Sequence, residues 1–434
     1  MSRRVFLKME KCFCTKSELS LFDQAPVQMA IDRSSFVEIH PVASISDNPT
    51  IEFLIPGLGE SYYDLSHLYL KVQAKIVKAD GTVLADADKC APVNYLLNTM
   101  FSECHVSLND RQISSENNYA YKSIIQALLF HPEHAQKNIL TAALFKKDTP
   151  GAYEDLSLEA AGKNTGLRSR YNTTKEGKTF ELYGSLHIDL GTQPKLLVNG
   201  VSIRVKLEKA KSAFALLAAK DEFRLAIENA SLFIRRCEIS GSILVAHEKA
   251  LESRLIQMPF TRIELKTFTI SPSLKSHTIS NAVNGALPTR MILALCSNTA
   301  YNGDITKNPF KFHHYKLNHL SLTENGIQIP SSAFTPSYTN DWYTRNYLSL
   351  FKDLGQVDTN ITYDEYKNGL CFYVFNLTQD YSSDEGHVNI TRSGDLSIHL
   401  KFDDPLTETL TLLCYMEMQS SLEIDKSRSV FIDY

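Results

Sequence analysis

A short stretch that the chain uses twice constrains its fold more than any other feature. Residues 104–115 read Cys-His-Val-Ser-Leu-Asn-Asp-Arg-Gln-Ile-Ser-Ser, and residues 318–332 read Asn-His-Leu-Ser-Leu-Thr-Glu-Asn-Gly-Ile-Gln-Ile-Pro-Ser-Ser. In both, apolar residues at alternate positions (Val106 and Leu108; Leu320 and Leu322) run into a polar turn. The chain emerges at Ile113 in one and Ile327 in the other. This is a strand, a tight turn and a second strand. Two further echoes follow the same order. Ile51-Glu-Phe-Leu-Ile55 with Pro56 resembles Lys266-Thr-Phe-Thr-Ile270 with Pro272. Val201-Ser-Ile-Arg-Val-Lys-Leu207 resembles Leu396-Ser-Ile-His-Leu-Lys-Phe402. The offset drifts from about 215 to about 195 residues, as expected of a duplicated domain whose copies differ in loop length.

A chain of 434 residues can hold two or three cores. Tyr (20) and Phe (22) are plentiful beside one Trp, which suits sheets. A net charge of -4 provides no overall basic field, so charge does not point to nucleic acid. No apolar run approaches a membrane span. Charges interrupt residues 1–10 too early for a signal peptide, so secretion by that route is not expected. The acceptor patterns at Asn172, Asn229, Asn360, Asn376 and Asn389 are then chance matches.

Cys90, Cys104, Cys237, Cys296, Cys371 and Cys414 are isolated, and the strand patterns around Cys104, Cys296 and Cys414 make those three small core residues. Cys12 and Cys14 lie in the first 45 residues, which lack a sustained period. There a metal or cross-linking role is the weaker reading. Arg3, Arg4, Lys8, Lys11 and Lys16 make that segment mildly basic, so it is either a solvated arm or one that touches nucleic acid or a neighbouring subunit.

Strands are predicted from Pro49 onward, notably over 68–76, where Leu68, Leu70, Val72, Ala74 and Ile76 alternate with polar residues up to the Ala79-Asp80-Gly81 turn. Tyr121, Ile124, Ile125, Leu128 and Leu129 have helical spacing, and residues 134–144 continue it. Residues 147–178 read as a long, exposed, mobile loop. Strands resume at 180–190, 201–207, 223–227 and 232–234, and a helix is expected over 245–254. The second copy has strands at 265–270, 291–296, 370–377, 396–402 and 410–418, with a helical or irregular connection over 342–354. The expected fold is all-β: two tandem eight-stranded jelly-roll sandwiches, with short helices in connecting loops. The expected limits are an arm at 1–45, sandwiches at 46–243 and 257–421, a linker at 244–256 and a tail at 422–434.

No catalytic, cofactor-binding or metal site is assigned from the residues. Gly177-Lys178-Thr179 resembles the end of a phosphate loop, but Asn172 stands where the first glycine belongs. His131 and His134 flank a proline, while His314 and His319 point to opposite faces of a strand, so ordinary histidines outweigh a metal set. Asp403-Asp404 and Asp384-Glu385 are neighbours on turns, not carboxylates across a cleft. Glu181 and Asp189 flank a strand and are expected to face water.

The chain resembles the major capsid proteins of Polinton (Maverick) elements and the related adintoviruses over nearly its whole length. The matching stretches are Cys14-Thr-Lys-Ser-Glu-Leu-Ser-Leu-Phe22, Pro49-Thr-Ile-Glu-Phe53 with Tyr63-Asp-Leu65, Leu108-Asn-Asp-Arg-Gln-Ile113, Lys211-Ser-Ala-Phe214 and Leu287-Pro-Thr-Arg290. The densest is Tyr301-Asn-Gly-Asp304 with Asn308-Pro-Phe-Lys-Phe-His-His-Tyr315, followed by Glu423-Ile-Asp-Lys-Ser-Arg428. Residues 191–196 depart from the family pattern. The resemblance implies a double jelly roll, a homotrimer forming a pseudo-hexagonal tile, neighbouring capsomers and a single-jelly-roll penton protein in an icosahedral virion. A structural, non-enzymatic protein is therefore expected. The alternatives are a double jelly-roll hydrolase acting on glycans and a carbohydrate-binding protein.

Overall fold

The structure, a computed structural model, describes residues 27–433 apart from 47, 58, 86–87, 221, 356–357 and 384–388. The first half contains β1 (Ile31–Ile39), β2 (Thr50–Ile55), β3 (Tyr62–Lys78), β4 (Cys90–Pro92), β5 (Phe101–Leu108), β6 (Arg111–Glu116), β7 (Phe180–Ser185), β8 (Ile203–Lys209), β9 (Leu216–Ala218) and β10 (Phe223–Ile239). The second contains β11 (Ile256–Ile270), β12 (Ser276–Ala286), β13 (Arg290–Ser297), β14 (Leu317–Glu324), β15 (Ile327–Phe334), β16 (Phe372–Asn376), β17 (Ser393–Phe402), β18 (Leu410–Ile424) and β19 (Val430–Asp433). Helices occupy the connections: α1 (Leu96–Thr99), α2 (Tyr119–Leu129), α3 (Glu133–Lys137), α4 (Thr165–Thr174), α5 (Ser212–Ala215), α6 (Gly241–Ala250), α7 (Asn298–Tyr301), α8 (Thr344–Leu354) and α9 (Tyr363–Lys367).

The first sandwich has sheets ordered β1-β10-β3-β7 and β2-β8-β5-β6; the second has β11-β18-β13-β16 and β12-β17-β14-β15. With the small β4–β9 pair set aside, both copies show one topology: strands 1-8-3-6 face strands 2-7-4-5. That is the jelly roll, built twice. Alternation explains each layer. In β3, Leu68, Leu70, Val72, Ala74 and Ile76 point inward and are at most 2% exposed, while the residues between them face outward. Each of the Leu, Val and Ile side chains gains roughly 1.5–3 kcal/mol from burial. The hairpin stretches that echo each other are equivalent: β5–β6 and β14–β15 hold the same place in the two copies, as do β8 and β17.

The remaining echo is corrected. Ile51–Ile55 is β2, the second strand of its sandwich, whereas Lys266–Ile270 ends β11, the first strand of the other. Any strand against a core shows this alternation, so likeness there does not establish equivalence. The true counterpart, β12, is polar and carries a register shift between Ile279 and Val283, which hid it from periodicity. Residues 31–39, read as part of an arm, pair along β10 instead. Residues 223–239 form one strand, not two. The tail is not a separate segment: β18 continues to Ile424, and β19 folds back on it.

The reading of 147–178 as an exposed loop is also corrected. It contains α4 and packs tightly. The Arg170 side chain is fully buried, and its Nη2 lies 2.7 Å from Asp148 Oδ1. Its Nε donates to the Pro92 carbonyl at 2.9 Å. Asn164 caps α4 by accepting from Leu167 N, and its amide donates to Asp148. At Gly166 a Cβ would stand 2.0 Å from the Lys147 carbonyl oxygen, so only glycine permits this approach. At Asp148, Asn164 and Arg170 polarity reflects internal pairing, while other polar residues of the segment, such as Glu159 and Lys163, face solvent.

Candidate assembly interface

The joint between the two sandwiches holds most of the buried polar chemistry. Its wedge is α2, which follows β6 directly. The spacing of Tyr121, Ile124, Ile125, Leu128 and Leu129 makes the helix, and enclosure between the copies buries all its residues except Gln126. Lys122 lies inside it, 2% exposed, bonded to Glu116 and 2.6 Å from Asp189 Oδ1. Asp189 Oδ2 accepts from Ile263 N of β11 at 3.2 Å, so the cluster ties helix to second sandwich. The expectation that Asp189 faces water is overturned. β7 stops at Ser185, and a 3-10 turn at Asp189–Thr192 directs the carboxylate inward, where strand alternation no longer applies. Glu181 does lie outward, half-exposed and paired with Lys71 at 3.0 Å.

A polar relay runs beside this cluster. Tyr95 OH donates to His187 Nε2 at 2.8 Å, and His187 Nδ1 donates to Gln126 Oε1 at 2.7 Å. Gln126 Nε2 then donates to Tyr415 OH on β18 at 3.2 Å. Burial, chiefly, holds the His187 pKa well below its ordinary value, so the ring stays neutral and can bond this way. Arg290 on β13 pairs with Glu417 at 3.0 Å and donates to the Leu354 carbonyl at 3.1 Å. Its guanidinium lies 5.7 Å from the centre of the Phe130 ring.

The densest of the matching stretches, 301–315, forms the other side of this seam. Tyr301 OH donates to Asn118 Oδ1 at 2.9 Å, and its ring stacks on Tyr121 at 5.5 Å. Phe214 and Phe310 meet Tyr121 edge-on at 5.7 and 5.6 Å. Asn308 donates to Asp148 Oδ2 at 3.0 Å, which locks the Arg170 cluster to the second copy. Arg428 donates to the Asn199 carbonyl at 2.8 Å and pairs with Glu248. A cleft of about 1290 Å³ between the sandwiches is lined by Gln126, His131, Lys195, Arg262, Tyr415 and Gln419, among others. These residues came together from distant parts of the chain. The sequence signalled them by the helical spacing over 121–129 and the matching stretch at 301–315.

The other candidates are dispersed. His314 stacks on Tyr338 at 3.8 Å and accepts from Lys316 N, and burial pushes its pKa down to about 3. His313 is pushed down to about 4 by burial, and His319 is half-buried on β14. His134 is exposed, while His131 lies 6.2 Å from the His187 ring. Gly177–Thr179 form the turn into β7, where Thr179 donates to Glu228. Asp403 and Asp404 accept from Asn318 and Lys316. Cys90, Cys104, Cys237, Cys296, Cys371 and Cys414 are buried free thiols. Cys12, Cys14, Arg3, Arg4, Lys8, Lys11, Lys16, Asp384 and Glu385 lie outside the described residues. One group escaped notice in the sequence: Glu103, His105 and Glu208 converge with ligand atoms within 4.8 Å of one another. Glu208 is already paired with Lys206 at 2.7 Å, and nothing further there points to a cation.

Glu116 sets a pH dependence. Burial, opposed by Lys122, raises its pKa to about 8, and its Oε2 finds no donor. An acid whose folded pKa is raised holds its proton in the folded state while the unfolded chain has lost it. Stability from this group is thus full below about pH 4.5 and falls as pH rises toward 8. The Glu116→Gln variant is expected to lack this decline, so its advantage over wild type grows between pH 5 and 8 by on the order of 2 kcal/mol. Urea unfolding of both proteins across that range checks it. A constant difference would mean that Glu116 is ionised throughout.

The fold defined by this pair of sandwiches is the double jelly roll. Solved structures share it from end to end. A chain of the Sputnik virophage, determined by cryo-EM, superposes with a TM-score of 0.65 at 14% identity, covering 98% of this chain and 93% of that one. The PBCV-1 virus capsid model gives 0.58 at 10% identity, covering 95% and 99%. The mavirus major capsid protein gives 0.54 at 12% identity, covering 99% and 97%. Among curated proteins, an uncharacterized protein of Caenorhabditis elegans is 22% identical over 403 residues, 88% of this chain and 93% of its own length. No protein-family model matches the chain. Among the described residues, no helix is long and apolar enough to cross a membrane.

Proposed function

We propose that this protein is the major capsid protein of an icosahedral shell of the Polinton (Maverick) and adintovirus kind, acting as a structural subunit and not as an enzyme. One observation carries the reading: the match to the mavirus major capsid protein covers 99% of this chain and 97% of that one. The neighbours are capsid proteins, so the glycan-acting alternative is not favoured. Three chains would supply six similar sandwiches around one axis, which lets a closed trimer fill a six-neighbour position. Neighbouring capsomers and a single-jelly-roll penton protein would complete the virion. The basic residues of 1–45 would touch nucleic acid or the tile beneath. The two repeated units are proposed to run from β1 to β10 and from β11 to β18, wider than the limits 46–243 and 257–421 expected from the sequence.

The test is to purify the full chain, measure its mass in solution and image it by electron microscopy. A three-chain species with a pseudo-hexagonal outline is expected, and shells when the penton protein is co-expressed. A protein that stays single at all concentrations and forms no tile rejects the proposal.

A further inference from the structure

The two copies are buried unequally, and the difference points to an interaction surface. In the sheet β11-β18-β13-β16, three strands are dry on both faces over much of their length, while β11 is half-buried. Every residue of β13 and β16 is buried, as are residues 410–418 of β18. Strands normally bury alternate residues. Here the outer set is buried too, as at Ile292 (1%), Leu413 (0%) and Tyr415 (1%); Gln126 of α2 and Phe130 just after it, from the other copy, lie on Tyr415, and α8 packs on β16.

The equivalent sheet, β1-β10-β3-β7, has no such cover. Its outer face carries a row of aromatic side chains that crosses all four strands. The Phe36 ring lies 5.8 Å from Tyr69, Tyr69 stacks on Tyr183 at 5.6 Å, and Tyr183 meets Phe233 at 5.8 Å. Phe36 is 53% exposed and Tyr183 38%. Lys71–Glu181 and Lys75–Glu228 pairs border the row.

The helix that would match α2 packs on β16 of its own sandwich and leaves its other side uncovered. α8 occupies the same slot between the fifth and sixth strands of its sandwich, and both helices have 11 residues. α2 is almost wholly buried, while α8 buries only Asn346, Leu350 and Leu354. Leu348, about half a turn round from Asn346 and Leu350, is 64% exposed, and Trp342 just before the helix is 72% exposed.

We infer that the aromatic row of one chain receives the Trp342–Leu348 segment of a second copy, which repeats between chains the joint that α2 makes within one. The contact is head-to-tail: each chain offers one plug and one socket, and a ring closes when every joint is filled. The inference rests on the trimer reading above and names its surfaces.

Two variants of the full chain test it. Phe36→Glu with Tyr183→Glu alters the socket; Trp342→Glu with Leu348→Glu alters the plug. All four side chains are exposed, so circular dichroism should be unchanged. Should a glutamate pair lose its folded spectrum, alanines at the same positions carry the same readout. By analytical ultracentrifugation, wild type should sediment as three chains. Each variant should dissociate with a midpoint at least about thirtyfold higher in concentration. An equimolar mixture of the two variants should form a two-chain species, because one intact plug then meets one intact socket. Variants that trimerise like wild type, or a mixture that stays single, overturn this assignment and leave the trimer reading standing. A wild type that is itself single overturns the trimer reading too.

Discussion

Replacing Lys122 by alanine is expected to lower the unfolding free energy by about 3–5 kcal/mol, the usual loss when one partner of a buried ion cluster is removed. The reason is local. Lys122, Glu116 and Asp189 have side chains no more than 5% exposed, so water does not reach the Asp189 carboxylate or the Glu116 acid left behind. Asp189 would keep the Ile263 N donor, and Glu116 has one oxygen without a donor among the described residues. A triple change, Lys122→Met with Glu116→Gln and Asp189→Asn, should recover most of the loss, because no unpaired charge stays buried. Denaturant titration of both proteins measures it. If Lys122→Ala costs less than 1 kcal/mol, the cluster is not sealed as described.

Replacing Arg170 by methionine is expected to cost about 3 kcal/mol and to release the segment 147–178 before the sandwiches unfold. Arg170 joins Asp148, the Pro92 carbonyl and the Lys146 carbonyl, all beneath the surface. Its loss leaves Asp148 with amide donors alone, from Asn164 and Asn308. Limited proteolysis should then cut within residues 149–163 of the variant while wild type resists. Equal resistance would show that side-chain packing, not this ion pair, holds the segment.

Much of the architecture was legible because jelly-roll strands are half-buried and write their pattern at alternate positions. β3, β5, β8, β14 and β17 all announce themselves so. The equivalence of β5–β6 with β14–β15 was visible because a tight turn restricts which residues can occupy it. β12 was not legible, since it is polar and bulged, and a false counterpart in β11 took its place. The joint was legible least. Asp189 follows a strand and looked solvated, yet a turn sends it inward. Residues 147–178 looked like a loop because Asp148, Asn164 and Arg170 bond to one another inside the protein, and composition does not distinguish that from bonding to water.

From the residues alone came the repeat, the sheet-rich class and the sites of the turns, because alternation and turn chemistry are local properties. Only the tertiary structure decided that α2 lies between the copies, that Lys122 and Arg170 are sealed, and that one outer sheet is covered while its twin is bare. Those outcomes depend on which surfaces meet across hundreds of residues of chain, and burial, unlike periodicity, is a property of the neighbour as much as of the residue itself.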